Sequence, residues 1–259
     1  ANVKKVAGIL DRIVTYENLI DAETRSAEGR RGDAAVLRYE DNLYENLKTI
    51  ETEFLNGAYE SGLFHEKFVH IPQTRLIQVS PYKDRVAQQA IYGVLMPILE
   101  KQYIYDSYAC RAGKGALKAA QRVQYWLCEI HRKPNGGQYV AGKIDAAKFF
   151  YRLDHEVILA ILGKYVDDEP FMKIMGNIIN CRHTAFGLPE GRSCTDTARS
   201  ERLFDVGVPI GSLMSQTMAN MVMNELDQYA KHVLRIHYYI RYMDDIIILA
   251  PNIETLQGW

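Results

Sequence analysis

Asp244 and Asp245 stand side by side between two β-favouring apolar runs, His237-Tyr-Tyr-Ile-Arg-Tyr and Ile246-Ile-Ile-Leu-Ala. That arrangement predicts a hairpin with Met243-Asp244-Asp245 at its tip. If the flanking strands are buried, the carboxylates lie against an apolar sheet, where like charges repel unless a cation joins them. Aspartate is also an ordinary turn residue, so a solvated turn is the plain alternative. A third acid, Asp145, follows Val140-Ala-Gly-Lys-Ile144 at the end of another predicted strand, and its plain alternative is a turn or a helix cap. Three such oxygen donors suit Mg²⁺, which takes carboxylates together with substrate phosphates. Two ions about 3.5–4 Å apart activate an attacking hydroxyl and stabilise a leaving oxygen in phosphoryl transfer. Spacing alone does not make the three acids converge.

The elements that must position these acids read as a mixed α and β chain. Val6, Ile9, Leu10, Ile13 and Val14 recur at helical spacing, as do Leu37, Leu43, Tyr44, Leu47, Ile50, Phe54 and Leu55. Two amphipathic packing helices are therefore expected before residue 60, joined by the polar stretch Ser26-Ala-Glu-Gly-Arg-Arg-Gly-Asp. Phe68-Val-His-Ile-Pro and Arg75-Leu-Ile-Gln-Val-Ser-Pro predict strand–turn–strand around Pro72-Gln73-Thr74. Helical spacing resumes from Arg85 to Leu99, Tyr139 to Ile144 is a strand candidate, and Asp154 is a candidate cap for a helix through Leu162. Residues 181–208 read as an irregular excursion, and Met218 to Val233 as a helix.

Composition narrows the function classes. With 47% hydrophobic and 24% charged residues the chain is ordinary for a soluble globular protein, and no apolar run approaches the ~20 residues of a membrane span. Ala1-Asn-Val-Lys-Lys lacks the apolar segment of a secretory leader, so a cytoplasmic location is expected. Cys110, Cys128, Cys181 and Cys194 show no CxxC pairing, which suits reduced thiols. The net charge of −1 hides an uneven distribution. Residues 1–60 carry 8 basic and 12 acidic groups (−4), residues 61–122 carry 9 and 4 (+5), and residues 123–259 carry 14 and 16 (−2). A basic middle segment permits contact with a nucleic-acid backbone, which depends on local patches rather than totals. Gly113-Lys-Gly115 is no phosphate loop, since GxxxxGK[ST] needs a lysine after its second glycine and Ala116 follows Gly115, so a plain turn is expected there. Cys181, His183 and Cys194 match no standard zinc spacing.

Three motifs in order carry a resemblance. Tyr242-Met-Asp-Asp resembles the YxDD signature of reverse transcriptases. Asp145-Ala-Ala-Lys-Phe-Phe150 resembles their first palm motif, and Gly207-Val-Pro-Ile-Gly-Ser-Leu-Met-Ser-Gln216 lies where the family has its nucleotide-pocket motif. The likeness spans roughly residues 50–250. It implies an α+β right-hand polymerase fold with fingers and a mainly antiparallel palm sheet. Residues 1–60 are then an N-terminal helical extension, 61–92 and 157–203 fingers, and 93–156 and 204–259 palm. The chain stops at Trp259, 14 residues after Asp245, and so reads as truncated, with the thumb absent. The implied reaction is attack of a primer 3′-OH on the α-phosphate of a dNTP, directed by an RNA template. Two Mg²⁺ ions, with Mn²⁺ as a substitute, would sit on Asp145, Asp244 and Asp245.

Other roles follow from the same resemblance. Phe150 matches the steric gate that meets a ribose 2′-OH, while one of Phe149 and Phe150 is expected in the core. Arg75 matches the fingers arginine on the incoming triphosphate, a use suited to a planar guanidinium. Ala146, Gly211 and Gln216 complete the expected substrate pocket, and Lys83, Arg85, Tyr242 and Met243 are expected nucleic-acid contacts. Ile210 replaces the family's usual glutamine, and we read that change as lowering fidelity. Ile210-Gly211 with Ser215-Gln216, Ser80-Pro-Tyr-Lys-Asp-Arg-Val86, Tyr105-Asp-Ser-Tyr-Ala-Cys-Arg-Ala-Gly-Lys-Gly115 and Asn224-Glu-Leu-Asp-Gln-Tyr-Ala-Lys-His232 resemble the enzymes of diversity-generating retroelements. An accessory RNA-binding protein and a DNA or RNA primer are further implied partners, and no membrane is. Group II intron and antiphage-defence enzymes are the alternative lineages. An RNA-directed RNA polymerase and a non-catalytic RNA-binding protein on the same fold are the rival functions; Phe150 argues against the first and the acids against the second.

Overall fold

A computed structural model describes residues 4–70, 74–133 and 137–259. The backbone divides into two compact units, Ala1–Leu99 with Phe150–Met218, and Glu100–Phe149 with Ala219–Trp259.

In the first unit the described residues of the N-terminal segment form four helices rather than the two expected: α1 (Ile9–Ile13), α2 (Tyr16–Ala27), α3 (Ala34–Glu40) and α4 (Leu43–Leu55). The break after α1 arises because Thr15 is extended and its side chain accepts from the Asn18 amide at 3.3 Å, which starts a new helix. Strands β1 (His65–Val69) and β2 (Arg75–Val79) pair antiparallel with Val69 opposite Arg75. The first strand thus begins three residues before the expected Phe68, and the turn expected at Pro72-Gln73 lies outside the described residues. Helix α5 follows (Tyr82–Glu100), starting before Arg85. After the second unit's insertion come two short helices, α7 (Phe149–Arg152) and α8 (His155–Leu162), and the longer α9 (Glu169–Asn180). Asp154 caps α8, its carboxylate accepting from Val157 N at 3.0 Å. Asp168 does the same for α9 at Phe171 N (3.0 Å). Its other oxygen accepts from Ile9 and Leu10 N (2.7 and 2.9 Å), so one carboxylate ties α1 to α9. Residues 181–208 are irregular apart from a 3-10 turn at Arg199–Glu201.

The second unit is a three-stranded antiparallel sheet in the order β3 (Val140–Asp145), β5 (Asp245–Ala250), β4 (Tyr238–Tyr242). Its faces follow the two-residue period of strands. Tyr238, Ile240 and Leu249 pack with Trp126 and Ile130 of α6 (Ala116–His131), a helix that begins where the Gly113-Lys-Gly115 turn ends. Tyr239, Ile246 and Ile248 point the other way, onto Ile104, Met223, Ala230 and Ile236. Met223 belongs to α10 (Leu213–Gln228), which begins in the first unit and ends in the second. It starts five residues before the expected Met218 and widens into a π turn at Tyr229–Val233. On β3, Gly142 leaves room for Leu256 of α11 (Ile253–Gly258), where a Cβ would lie 3.0 Å from that side chain. Cover on both faces explains why Ile246-Ile-Ile-Leu-Ala is apolar without alternation.

The segment from Gly207 is anchored within the first unit. Gly207 N donates to Leu153 O (2.7 Å), Val208 N donates to Phe150 O (2.7 Å), and His155 Nε2 donates to Gly207 O (2.6 Å). Gly207 has φ +86°, and a Cβ there would sit 2.7 Å from the backbone nitrogen of Gly187. Gly207→Ala is therefore expected to lower stability by at least about 2 kcal/mol, through left-handed strain and a backbone clash. The urea unfolding midpoint measures this, and an unchanged midpoint contradicts it.

Candidate active site

The acids meet at one end of the second unit's sheet. Asp145 is the last residue of β3 and Asp245 the first of β5, and the two are direct cross-strand partners. Such partners have Cβ atoms roughly 4.5–5.5 Å apart. Asp244 precedes Asp245 in the turn, after Met243, whose φ of +57° is left-handed. Asp245 thus belongs to the strand rather than to the tip itself. Tyr242 faces Asp245 from β4, so the central strand's acid lies between Asp145 and a half-exposed phenol ring.

A lysine answers this charge. Lys143 lies two residues before Asp145, on the same face of β3, and its Nζ is 2.9 Å from Asp245 Oδ1. The hydrogen bond and charge of Asp245 raise the ammonium's pKa, and Asp145 and Asp244 add to the effect. All three carboxylates therefore act on one cation. Among the described residues, no three His, Cys, Asp or Glu side chains are already gathered in metal-holding geometry. The donor set still fits a hard divalent ion: carboxylates on Cβ atoms so spaced can share an ion ligated at about 2.0–2.1 Å. Beside them, a groove of about 550 Å³ runs between α6 and the sheet, lined by Ala120, Val123, Leu127, Ile240 and Ile247 and opening at Lys143, Tyr242 and Asp245.

Ala146 follows Asp145 and its carbonyl accepts from Phe149 N at 3.2 Å, which turns the chain into α7. Phe149, partly buried, packs against the Ile104–Tyr239–Ile246 cluster, and Phe150 is buried to a similar intermediate degree. Phe150 is the first residue of the returning first unit.

Within the first unit, Arg75 opens β2 and is exposed. Gly211 has φ +109°, and a Cβ there would lie 2.7 Å from Ile77 Cγ2 and 3.2 Å from Gln78 O. Only glycine allows this approach to β2. The neighbouring Ile210 is held by its backbone: Gln78 N donates to Ile210 O (2.8 Å), and Ile210 N donates to Gln78 Oε1 (2.9 Å). Gln216 lies in the first turn of α10, half-buried, with its backbone N donating to Ser212 O at 3.3 Å. A cleft of about 350 Å³ adjoins Gly211 and is lined by Arg25, Arg30, Arg85, Gln78 and Gln88. Burial, with Arg30 adding to it, lowers the pKa of the Arg85 guanidinium, whose Nε donates to Ser80 O (3.2 Å). Lys83 holds Glu53 at 2.6 Å and so links α5 to α4.

Sequence reasoning passed over Lys143, Arg241 and Gln78. Each carried a signal. Lys143 is a charge one step along the face from Asp145, Arg241 interrupts an apolar strand, and Gln78 shares the strand face of Leu76 by its two-residue spacing, a face the structure buries.

The sequence profile of the family described as "Reverse transcriptase (RNA-dependent DNA polymerase)" matches residues 67–258. The chain is 26% identical over 191 residues to Protein YkfC of Escherichia coli K12, covering 72% of this chain and 46% of that relative. It is 22% identical over 203 residues to a COX1/OXI3 intron 1 protein of Saccharomyces cerevisiae (74% and 22%). It is 21% identical over 170 residues to the corresponding intron 2 protein (63% and 17%). The chain thus spans less than half the length of these curated relatives. Among the described residues no helix is long and apolar enough to cross a membrane.

Because Lys143 occupies a carboxylate that a divalent ion bound here would need, Lys143→Met is expected to tighten Mn²⁺ binding about two- to five-fold, the range of an exposed ion pair. Titration followed by electron paramagnetic resonance measures this, and unchanged or weaker binding contradicts it.

Proposed function

Because the chain belongs to the reverse transcriptase (RNA-dependent DNA polymerase) family, we propose that it builds DNA on an RNA template, with Asp145, Asp244 and Asp245 holding the divalent ions. The observation that carries this reading is the pairing of Asp145 with Asp245 across β3 and β5, inside the matched residues. Bound there, divalent ions supply Lewis-acid stabilisation of the attacking and leaving oxygens of a phosphoryl transfer. The chain's own residues position the reactants. Arg75 holds triphosphate oxygens through its planar fork. Phe150 excludes a ribose 2′-OH, and Ala146, Gly211 and Gln216 line the nucleotide. Arg85, Tyr242 and Met243 contact nucleic acid, as does Lys83 if it exchanges Glu53 for phosphate. The primer 3′-OH attacks the dNTP α-phosphate and pyrophosphate leaves, with no side chain as nucleophile. On this reading residues 1–60 are an extension, 61–92 and 157–203 fingers, and 93–156 and 204–259 palm.

Within the family, Ile210-Gly211, Gln216 and the segments 80–86, 105–115 and 224–232 support an enzyme of the diversity-generating retroelements, with an accessory RNA-binding protein as partner. The yeast relatives are named as intron proteins, and this supports an intron-type enzyme as the second reading. A variable-protein gene with a near-identical repeat beside this gene separates the two.

On an RNA template, Asp244→Asn is expected to reduce primer extension by about 10²–10³-fold or more, the scale of losing a group that acts in the transition state. Extension at the native rate would refute the proposal. Phe150→Ala is expected to keep deoxynucleotide addition and raise ribonucleotide addition; unchanged sugar discrimination removes Phe150 from the gate.

A further inference from the structure

A fully buried ion pair stands directly behind the acidic hairpin. Arg241 in β4 and Asp227 near the end of α10 both have no solvent exposure. Every nitrogen of the guanidinium is engaged. Nε donates to Asp227 Oδ1 (2.8 Å) and Oδ2 (3.0 Å), and Nη2 donates to Asp227 Oδ2 (2.7 Å) and Ser107 Oγ (3.1 Å). Nη1 donates to Asn220 Oδ1 (2.9 Å) and to the Met243 carbonyl (2.8 Å). The Tyr239 hydroxyl donates to Asp227 Oδ1 (2.7 Å).

Core packing does not account for this arrangement. Taking two ions out of water is costly, and apolar side chains of similar volume often hold a core as well or better. The informative contact is the one that leaves the pair and reaches Met243. That residue is left-handed without being glycine, and such a conformation persists only where its surroundings hold it. It is followed at once by Asp244 and Asp245. The backbone of Arg241 is braced as well: its N donates to Asp106 O (2.9 Å) and its O accepts from Tyr108 N (2.9 Å). Residues 106–108 therefore cover the edge of β4 that β5 leaves open, and Ser107 returns to the guanidinium.

We infer that Arg241 is a positioning residue: held by Asp227, it pins the Met243 carbonyl and so sets the directions in which Asp244 and Asp245 present their carboxylates. This rests on the metal role proposed for those acids. Two changes to the full chain test it. Arg241→Met with Asp227→Leu and Tyr239→Phe fills the core with apolar groups and removes the tether. Arg241→Lys keeps the charge but cannot serve Asp227 bidentately and the Met243 carbonyl together. In a variant that melts cooperatively, amide exchange of the peptide spanning Tyr242–Asp245 is expected to quicken about tenfold, while exchange in α6 stays native. Mn²⁺ affinity, read by paramagnetic resonance, is expected to weaken about tenfold, the scale at which groups behind metal ligands act. In primer extension, kcat should fall while KM for dNTP stays within about two-fold. Native exchange at the turn together with native Mn²⁺ affinity in a folded variant overturns the inference. If Asp244→Asn leaves Mn²⁺ binding intact, the metal reading fails instead, and the turn exchange still decides whether Arg241 tethers the hairpin.

Discussion

Repulsion between carboxylates at one sheet end is the constraint on which the rest of the second unit turns. The register of β3 and β5 runs unbroken from Val140 opposite Ala250 to Asp145 opposite Asp245, so the two acids cannot avoid each other while the sheet exists. At about 5 Å and an effective dielectric of roughly 20–80, their repulsion is of order 1–3 kcal/mol. Burying one isoleucine or leucine is worth roughly 1.5–3 kcal/mol. Ile240, Ile246, Ile248 and Leu249 are all buried. The apolar body of the sheet therefore outweighs the strain at its end, and the charge excess remains for a cation to relieve. Lys143 relieves part of it.

The same logic of close approach recurs in the first unit with backbone instead of charge. Gly211 lets the chain touch β2 where any side chain would strike Ile77, and Gln78 holds Ile210 through both of its backbone polar groups. What the Ile210 side chain does is thus decoupled from where its backbone sits. This is why a residue unable to hydrogen-bond can stand there without loosening the loop.

Much of this was legible in the sequence because its signals are local. The apolar runs on either side of Met243-Asp244 define the hairpin, and Asp154 caps α8 where its position predicts. Helix α6 escaped because Leu117, Tyr125 and Leu127 are exposed, which blurs the stripe made by Ala119, Val123, Trp126 and Ile130. The split between α1 and α2 turns on one threonine side chain. The pairing of Asp145 with Asp245 depends on register between strands about a hundred residues apart, which no spacing encodes. Arg241 was illegible for a related reason: its partners Asp227 and Asn220 on α10 and Ser107 about a hundred residues earlier come from two separate segments, and only the fold assembles them.

Diffraction from crystals of the full chain with Mn²⁺ and a dNTP, recorded at the manganese edge, bears most directly on the metal site proposed for these acids. Two anomalous peaks about 3.5–4 Å apart are expected, both within ligand distance of carboxylate oxygens from Asp145 and the Asp244-Asp245 pair. Manganese bound elsewhere, or Asp145 turned away from every peak, contradicts it.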